Sequence, residues 1–229
     1  MWRIRRMRRI RPGSAILELG ANQNGFARFA RCRVVVADRA LEHLRAARAT
    51  QDVLPVAADA AALPFRDGAF AVCVCMDTFE HFDEPTRARC VQELARVAGP
   101  SATMAIGFPA GDAAARAEAA IREAHFAFTG RRLVWLEEHA LHPLPDPARV
   151  AAQLSDAAGP GRTVSVRKNA SLWIWHGMWR ILMCGWPGRG NALAQAALRL
   201  VTPVLCRIHT GVCYRAVVWL EPAGDPRRE

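Results

Sequence analysis

Residues 14–38, SAILELGANQNGFARFARCRVVVAD, decide the fold class of this 229-residue chain. They contain two short apolar runs rich in branched side chains, 15–19 and 33–37, which are typical of buried strands. A turn with glycine and asparagine and a helix-length segment separate the two runs. The stretch therefore predicts two parallel strands joined by a helix, the repeating unit of α/β proteins.

The same alternation continues along the chain. Helical periodicity at 40–48 and 84–97 alternates with apolar, strand-like runs at 53–57, 70–76 and 102–108. Because strands that alternate with helices form a parallel sheet covered on both faces, the sequence predicts an α/β fold. The remaining predicted elements are helices at 112–125, 131–141, 146–157 and 171–208, the last broken at 187–190, and strands at 163–168 and 213–221.

A glycine-containing turn, 20–25, follows the first predicted strand. Such a turn lets a ligand approach the backbone beside the N–H groups of the next helix. Asp38 ends the second predicted strand, where a carboxylate can accept hydrogen bonds from both hydroxyls of a ribose. Together these features predict a nucleoside cofactor, and they fit a nicotinamide dinucleotide and S-adenosylmethionine equally well.

The next block, VLPVAADAAALPFRDGAFAVCVCMDTFEHF at 53–82, separates these two cofactors. With Glu93-Leu94-Ala95-Arg96-Val97 it resembles the type 11 family of class I S-adenosylmethionine-dependent methyltransferases, over residues 14–108. The resemblance implies a three-layer α/β/α sandwich with strand order 3-2-1-4-5-7-6 and an antiparallel last strand. It also implies S-adenosylmethionine as cofactor and S-adenosylhomocysteine as product.

The first motif of that family corresponds to the turn after the first strand. By this resemblance Glu18 and Gly20 lie near the methionine part of the cofactor, together with Ala21, Asn22 and Gly25 of the same turn. The family usually has glycine at the position of Asn22 and one residue fewer before the next glycine. The path of this turn therefore differs here, and an ordinary tight turn is the alternative.

The second and third strands supply the nucleoside contacts that the resemblance implies. Asp38, followed by Arg39, would hold the ribose, and Asp59 with Ala60 would meet the adenine, whose ring Leu63 would help to enclose. Each acid also has a purely structural alternative, because Asp38 and Asp59 both precede predicted helices that they could cap.

The chemistry is expected at the carboxyl end of the fourth strand. Met76 and Asp77 would lie beside the transferable methyl group, since open α/β sheets bind ligands at that edge. His81 is the candidate base for a hydroxyl acceptor, because imidazole titrates near neutral pH. The alternative is that His81 packs or hydrogen-bonds in the first turn of the following helix. Four further residues after the fifth strand, His125, Glu138, His139 and His142, have no recognised metal-ligand spacing, and no metal is predicted.

Net charge and hydropathy bear on location and partners. The formal charge is +10, but six arginines lie within the first eleven residues, so residues 1–13 form a basic arm. That arm could contact anionic lipid, nucleic acid or a protein, or be solvated. The sequence predicts a cytoplasmic protein with reduced cysteines and no membrane-spanning helix; peripheral contact at the inner face of the membrane stays open.

The second half of the chain is expected to complete a single domain, 1–229. The segments 110–145 and 170–208 are apolar enough to form one helical cap over the carboxyl ends of the strands. The tryptophan-rich part, 173–186, would line an acceptor pocket or form a homodimer or membrane-facing surface.

The predicted function is methyl transfer to a small-molecule, glycan or lipid-linked acceptor. Base-directed activity on nucleic acid is disfavoured, because Asp77-Thr78-Phe79-Glu80 stands where such amino-directed enzymes carry a Pro-Pro-aromatic motif. A short-chain dehydrogenase is excluded. Enzymes of that type pair a Tyr with a Lys four residues later, whereas the only Tyr and the only Lys of this chain, Tyr214 and Lys168, are far apart. Another NAD-type nucleotide-binding protein, or a binding protein without catalysis, is the remaining alternative.

Overall fold

A computed structural model describes residues 14–20, 25–30, 33–50, 53–184, 190–205 and 208–223. The basic arm at 1–13 lies outside these ranges, as do Ala21, Asn22, Trp186 and Arg189. No helix among the described residues is long and apolar enough to cross a bilayer.

Seven strands form one sheet in the order β3-β2-β1-β4-β5-β7-β6, which confirms the predicted order. Strands β1 to β4 pair in parallel, with Leu19 aligned to both Ala37 and Cys75. Their branched side chains are buried, as the near-continuous apolar runs predict for central parallel strands. The strands are β1 (Ile16–Leu19), β2 (Val34–Asp38), β3 (Val53–Ala57), β4 (Phe70–Met76), β5 (Ala98–Pro109), β6 (Arg162–Ser171) and β7 (Cys213–Pro222).

The last strand runs against the others. The Ala110 N–H, just after β5, donates to the carbonyl of Tyr214 near the start of β7. At the other end of β7, the Ala223 N–H donates to Gly161, and neighbouring Arg162 donates to the carbonyls of Gly99 and Ala102 at the beginning of β5. Strand β7 is therefore antiparallel to β5, as predicted.

The helices agree with the sequence periodicity except after β1. There the described residues form only a short 3-10 turn, Phe26–Phe29, where a longer helix was expected. Strand β5 also begins four residues earlier than the run at 102–108 indicated, because Ala98 pairs with Phe70. The helices are α1 (Leu41–Thr50), α2 (Glu84–Val97), α3 (Gly111–Thr129), α4 (Val134–His139), α5 (Pro147–Ala158), α6 (Leu172–Cys184) and α7 (Gly190–Leu205).

The chain divides into two compact units. The first unit comprises 1–107, 148–166 and 218–229, and the second comprises 108–147 and 167–217. The first unit buries the side chains of β1, β2 and β4 against α1, with Leu44 and Ala47 on the helix side. The second unit has a separate core of the following buried residues: Ala114, Ile121, Leu136, Trp175 and Tyr214. Helices α3 and α6 pack together within it.

Candidate active site

The carboxyl ends of β1, β2 and β3 are held together in the first unit. The Gly20 N–H donates to Ala37 at 2.8 Å, and the Ala58 N–H donates to Asp38 at 3.0 Å. On the other side of β1, β4 ends at Met76, and the Asp77 N–H donates to Gly107 at 3.0 Å. The loops that carry most of the predicted cofactor residues therefore begin at one edge of the sheet.

Gly20 is required by both its conformation and its neighbour. Its φ of +92° is one that L side chains rarely adopt. A Cβ at this position would collide with Oγ1 of Thr78, so the turn after β1 passes directly over Thr78, two residues after the end of β4. Sequence reasoning did not single out Thr78, and its only signal was its place next to Asp77.

Glu18 organises the turn after β1 from inside the protein. Its side chain is buried, and its two oxygens accept from the N–H groups of Phe26 at 2.6 Å and Ala27 at 2.8 Å. Burial raises the pKa of this carboxyl group, and the two backbone hydrogen bonds oppose that increase. Gly25 directly precedes the 3-10 turn that these bonds fix. A contact between Glu18 and the cofactor remains a prediction.

Asp38 has a structural role as well as a position suited to ribose. Its Oδ1 accepts from the Ala40 N–H at 2.7 Å, and its Oδ2 lies 3.7 Å from Nδ1 of His43 in α1. The bond from Ala40 closes a local turn just before α1, and the contact with His43 links Asp38 to that helix. The side chain of Asp38 is 15% exposed, and Arg39 beside it is exposed.

Asp59 begins a tight turn after β3. Its Oδ1 accepts from the Ala61 N–H at 2.8 Å, which is a local turn and not the cap of a helix. The carboxylate is exposed, whereas Ala60 and Leu63 in the same turn are buried. The turn thus places an exposed acidic group beside two buried apolar residues.

Two residues at the end of α2 hold this turn in place. Glu93 accepts from the Leu63 N–H at 2.7 Å, and Arg96 donates to the carbonyls of Leu63 at 3.0 Å and Phe65 at 2.8 Å. Arg96 also donates to Glu93 and to Asp67. The hydrogen bond from Arg96 is the main reason that the pKa of Glu93 is lowered. In the sequence these two residues are marked only by their place in a family motif.

The segment after β4 has a strained backbone. Asp77 has φ +55°, although it is not glycine, and residues in such conformations concentrate at functional sites. Met76 before it is partly buried and packs against the core of the first unit. This unusual backbone conformation lies at the carboxyl end of β4, where the sequence analysis predicts that methyl transfer takes place.

His81 ends a separate 3-10 turn, Phe79–His81, and does not belong to the first turn of α2. Its N–H donates to the carbonyl of Thr78, and its side chain is partly buried. Buried Arg87 of α2 fixes this turn, because its guanidinium donates to the carbonyls of Phe79 and Glu80. The alternative that placed His81 in the helix is therefore wrong in its location.

The second unit contains a buried polar cluster that the sequence did not reveal. Oε1 of Glu118 accepts from the hydroxyl of Tyr214 at 2.6 Å and lies 3.0 Å from Nδ1 of His139. The ring of Trp175 stacks on Tyr214 with centroids 3.7 Å apart. The residues are separated by up to 96 positions, so no local spacing could have predicted the cluster. His125 lies elsewhere, with Nδ1 at 2.6 Å from the carbonyl of Met183.

An open groove with a volume of about 510 Å³ also lies in the second unit. Its walls combine the indole of Trp173 and the side chain of Val212 with Arg116 and His176. Trp173 is 67% exposed, whereas Trp175 of the same tryptophan-rich segment is buried. The groove pairs apolar surface with basic or titratable nitrogen atoms.

Comparison with known proteins agrees with this architecture. Residues 17–106 match the family model described as a methyltransferase domain. No curated protein matches the sequence. Because the matched residues include β1 to β4, the family assignment rests on the half of the sheet that carries the candidate site.

Three solved structures share the fold. A SAM-dependent methyltransferase from Thermotoga maritima is 13% identical with a TM-score of 0.56, covering 95% of this chain and 86% of that one. A candidate methyltransferase from Bacillus halodurans is 15% identical with a TM-score of 0.54, covering 96% and 97%. The cyclase SpnF is 15% identical with a TM-score of 0.51, covering 92% and 75%. At these identities the likeness concerns the fold alone.

Proposed function

We propose that this chain, which belongs to the type 11 family of class I S-adenosylmethionine-dependent methyltransferases, methylates a small-molecule, glycan or lipid-linked acceptor. The observation that carries this proposal is the arrangement at one sheet edge. Four neighbouring strands in the spatial order 3-2-1-4 each end at or just before a candidate residue, and these residues are, in the same order, Asp59, Asp38, Gly20 and Asp77. Such an edge is where open α/β sheets bind nucleotide ligands.

The chemistry of these residues fits the cofactor. Asp38 offers carboxylate oxygens for the ribose hydroxyls, and exposed Asp59 offers an acceptor for the exocyclic amine of adenine. Ala60 and Leu63, which are buried in the same turn, are proposed to form the apolar base of the adenine site. In this proposal Glu18 acts mainly by fixing the turn after β1, because its two oxygens are engaged by backbone N–H groups.

S-adenosylmethionine supplies an electrophilic methyl group on a sulfonium and leaves as S-adenosylhomocysteine. The task of the protein is to hold the acceptor atom in line with that methyl group and to exclude water. Asp77 and Met76 are proposed to define this position at the end of β4. For a hydroxyl acceptor, His81 is proposed to take the proton that the attacking oxygen loses.

The class of acceptor is inferred by elimination. No base-directed motif follows β4, which argues against nucleic acid, and the second unit carries apolar and aromatic surface suited to an organic or lipid-linked molecule. We place the enzyme in the cytoplasm. That apolar surface could form a homodimer interface or contact the inner face of the membrane. Only membrane contact would place the acceptor at or near a lipid bilayer.

The first experiment is a binding comparison. Isothermal titration of the full chain with S-adenosylhomocysteine should give saturable binding, whereas titration with NAD should give none. Binding of NAD in preference to S-adenosylhomocysteine would refute the cofactor assignment.

The second experiment identifies the acceptor. Extracts from cells with and without the gene are compared by mass spectrometry for a metabolite heavier by one CH2 group. With that acceptor, His81→Gln should lower kcat about 100-fold or more if the acceptor is a hydroxyl, since general base catalysis contributes about that factor. Its affinity for S-adenosylhomocysteine should not change. An unaltered pH–rate profile in this variant would remove His81 from the mechanism.

A further inference from the structure

Helix α7 of the second unit turns apolar side chains outward. Of its side chains that the structure describes, all the exposed ones are apolar, and they are Leu193, Ala196, Ala197, Leu200, Val201 and Val204. Leu193 is 75% exposed and Leu200 81% exposed. At 3.6 residues per turn these positions fall within an arc of about 140°. We call this arc the α7 face.

The exposed side of this helix departs from the usual arrangement. A surface helix in a soluble protein normally turns its apolar stripe to the core and its polar residues to water. The partly buried positions of α7 that the structure describes are Leu198, Thr202 and Leu205, so this helix is apolar on its exposed side as well as on its inner side. The α7 face thus exposes aliphatic side chains to solvent. Binding of a second apolar surface that covers them would be favourable, because it would remove this area from water.

The charge of the chain segments that contain and flank α7 in the sequence indicates what kind of surface that is. No acidic residue occurs between Asp156 and Glu221. The same stretch carries eight basic residues, namely Arg162, Arg167, Lys168, Arg180, Arg189, Arg199, Arg207 and Arg215. Lys168 and Arg180 are exposed. An anionic partner is therefore favoured over a neutral or basic one.

A second site in the same unit fits the same partner. Trp173 and Val212, which are 67% and 60% exposed, border the groove that also holds Arg116 and His176. Tryptophan beside cationic side chains is typical of protein segments at a lipid–water boundary, where the ring meets acyl chains and the cation meets phosphate.

We infer that the α7 face binds the surface of an anionic lipid bilayer, with α7 lying in the plane of the membrane. A spanning orientation is excluded for this helix, because its 16 residues are fewer than the about 20 required. A second copy of the chain is the less favourable occupant. Two-fold contact through this face would bring the same basic, acid-free segments together.

This inference refines the proposed function in one respect, since it locates the acceptor at or near a membrane. Its test needs neither cofactor nor acceptor, so its failure is distinct from failure of the methyltransferase assignment. The purified full chain is sedimented with vesicles of phosphatidylcholine alone and of phosphatidylcholine with phosphatidylglycerol, at low and high salt. We expect binding to the anionic vesicles that weakens as salt rises.

Leu193→Gln/Leu200→Gln tests the α7 face itself. Each change removes an aliphatic side chain from the apolar phase, so the double variant should partition into anionic vesicles at least about tenfold less than the parent. Leu41→Gln is the matched control, since Leu41 is 55% exposed on a helix of the first unit and should leave vesicle binding unchanged. Circular dichroism spectra and urea unfolding curves that match those of the parent chain show that both variants are folded.

Three results would overturn the inference. One is a lack of binding by the parent chain to anionic vesicles at low salt, checked also by quenching of tryptophan fluorescence with brominated lipid, which does not depend on any variant. Another is full vesicle binding by the double variant. The third is a lipid-free dimer in sedimentation velocity that the double variant dissociates, which would assign the α7 face to a second copy.

Discussion

Several residues that are proposed to bind the cofactor also bond to the backbone of their own loops. Asp38 accepts a backbone N–H of the α1 entry through Oδ1, and Asp59 accepts one within its own turn. A carboxylate oxygen has two lone pairs, so these local bonds orient each group without exhausting it as an acceptor. Structural and binding roles are therefore compatible at these positions, and substitution has to separate them.

Asp38 allows that separation. Asp38→Asn keeps an oxygen for the Ala40 N–H but loses the negative charge, whereas Asp38→Ala loses both. We expect Asp38→Asn to weaken S-adenosylhomocysteine binding by about 1–3 kcal/mol, measured by titration calorimetry, with little change in the free energy of unfolding. Asp38→Ala should lower both quantities. Wild-type affinity in both variants would show that Asp38 serves only the turn before α1.

Gly20 and Thr78 provide a test of the close contact between β1 and β4. Gly20→Ala places a Cβ against Oγ1 of Thr78 at a positive φ, so it should destabilise the protein by about 2–4 kcal/mol in urea unfolding. Thr78→Gly added to Gly20→Ala removes the collision but not the backbone strain. The double variant should recover part of the lost stability, and no recovery would contradict the contact.

At the scale of elements, α2 controls the turn after β3. Glu93 and Arg96 together bond to three backbone groups of Leu63 and Phe65 and to the side chain of Asp67. The planar guanidinium reaches several acceptors at once, which a lysine ammonium cannot do in the same geometry. The end of a helix thereby fixes a loop about thirty residues earlier, and with it Leu63 of the proposed adenine site.

Arg96→Lys should therefore affect ligand binding without touching the ligand. We expect about 1 kcal/mol of lost stability, because Arg96 is one-third exposed and solvent weakens its ion pairs, and a several-fold weaker affinity for S-adenosylhomocysteine. Arg89→Lys is the control, since Arg89 lies on the same helix and is exposed. An equal effect of both substitutions on affinity would argue against the contact from α2 to the turn.

The same contact predicts a pH dependence. The pKa of Glu93 is lowered from 4.5, so its contribution to stability is complete above that value and is lost as pH falls through the lower folded pKa. Glu93→Gln removes this contribution at every pH. The difference in unfolding free energy between parent and variant should therefore shrink from neutral pH to about pH 3. A constant difference would show that the charge of Glu93 is not involved.

The sequence predicted most elements of the parallel sheet because their apolar runs are long and lie between clear breaks. It failed after β1, where Glu18 holds a 3-10 turn through two backbone N–H groups, a tertiary contact with no periodicity. The candidate site was predicted through positions at strand ends. Thr78 and the Glu118 cluster were not, because they act through residues distant in sequence, and Arg87 was not, because an arginine near the start of a helix is common at any surface.

At the scale of the whole molecule, two units with separate cores divide the roles that we propose. The first holds the predicted cofactor residues, and the second holds the Glu118, His139 and Tyr214 cluster together with the α7 face. Tyr214→Phe removes a hydrogen bond to a buried carboxylate and should lower stability by about 1.5–3 kcal/mol. Because Tyr214 belongs to the second unit, affinity for S-adenosylhomocysteine should be retained if this division is correct.

Hydrogen exchange of the full chain tests that division directly. S-adenosylhomocysteine at about 100 times its Kd should stabilise the folded state by about 2.7 kcal/mol, and this energy arises where the ligand makes contact. We expect slower exchange in peptides that cover 38–41, 59–63 and 76–81, since these segments follow β2, β3 and β4 at one edge of the sheet. Peptides from α7 should change little, because the proposed partner of the α7 face is lipid. Protection confined to 167–217 would place the cofactor in the second unit and refute the proposed cofactor site in the first.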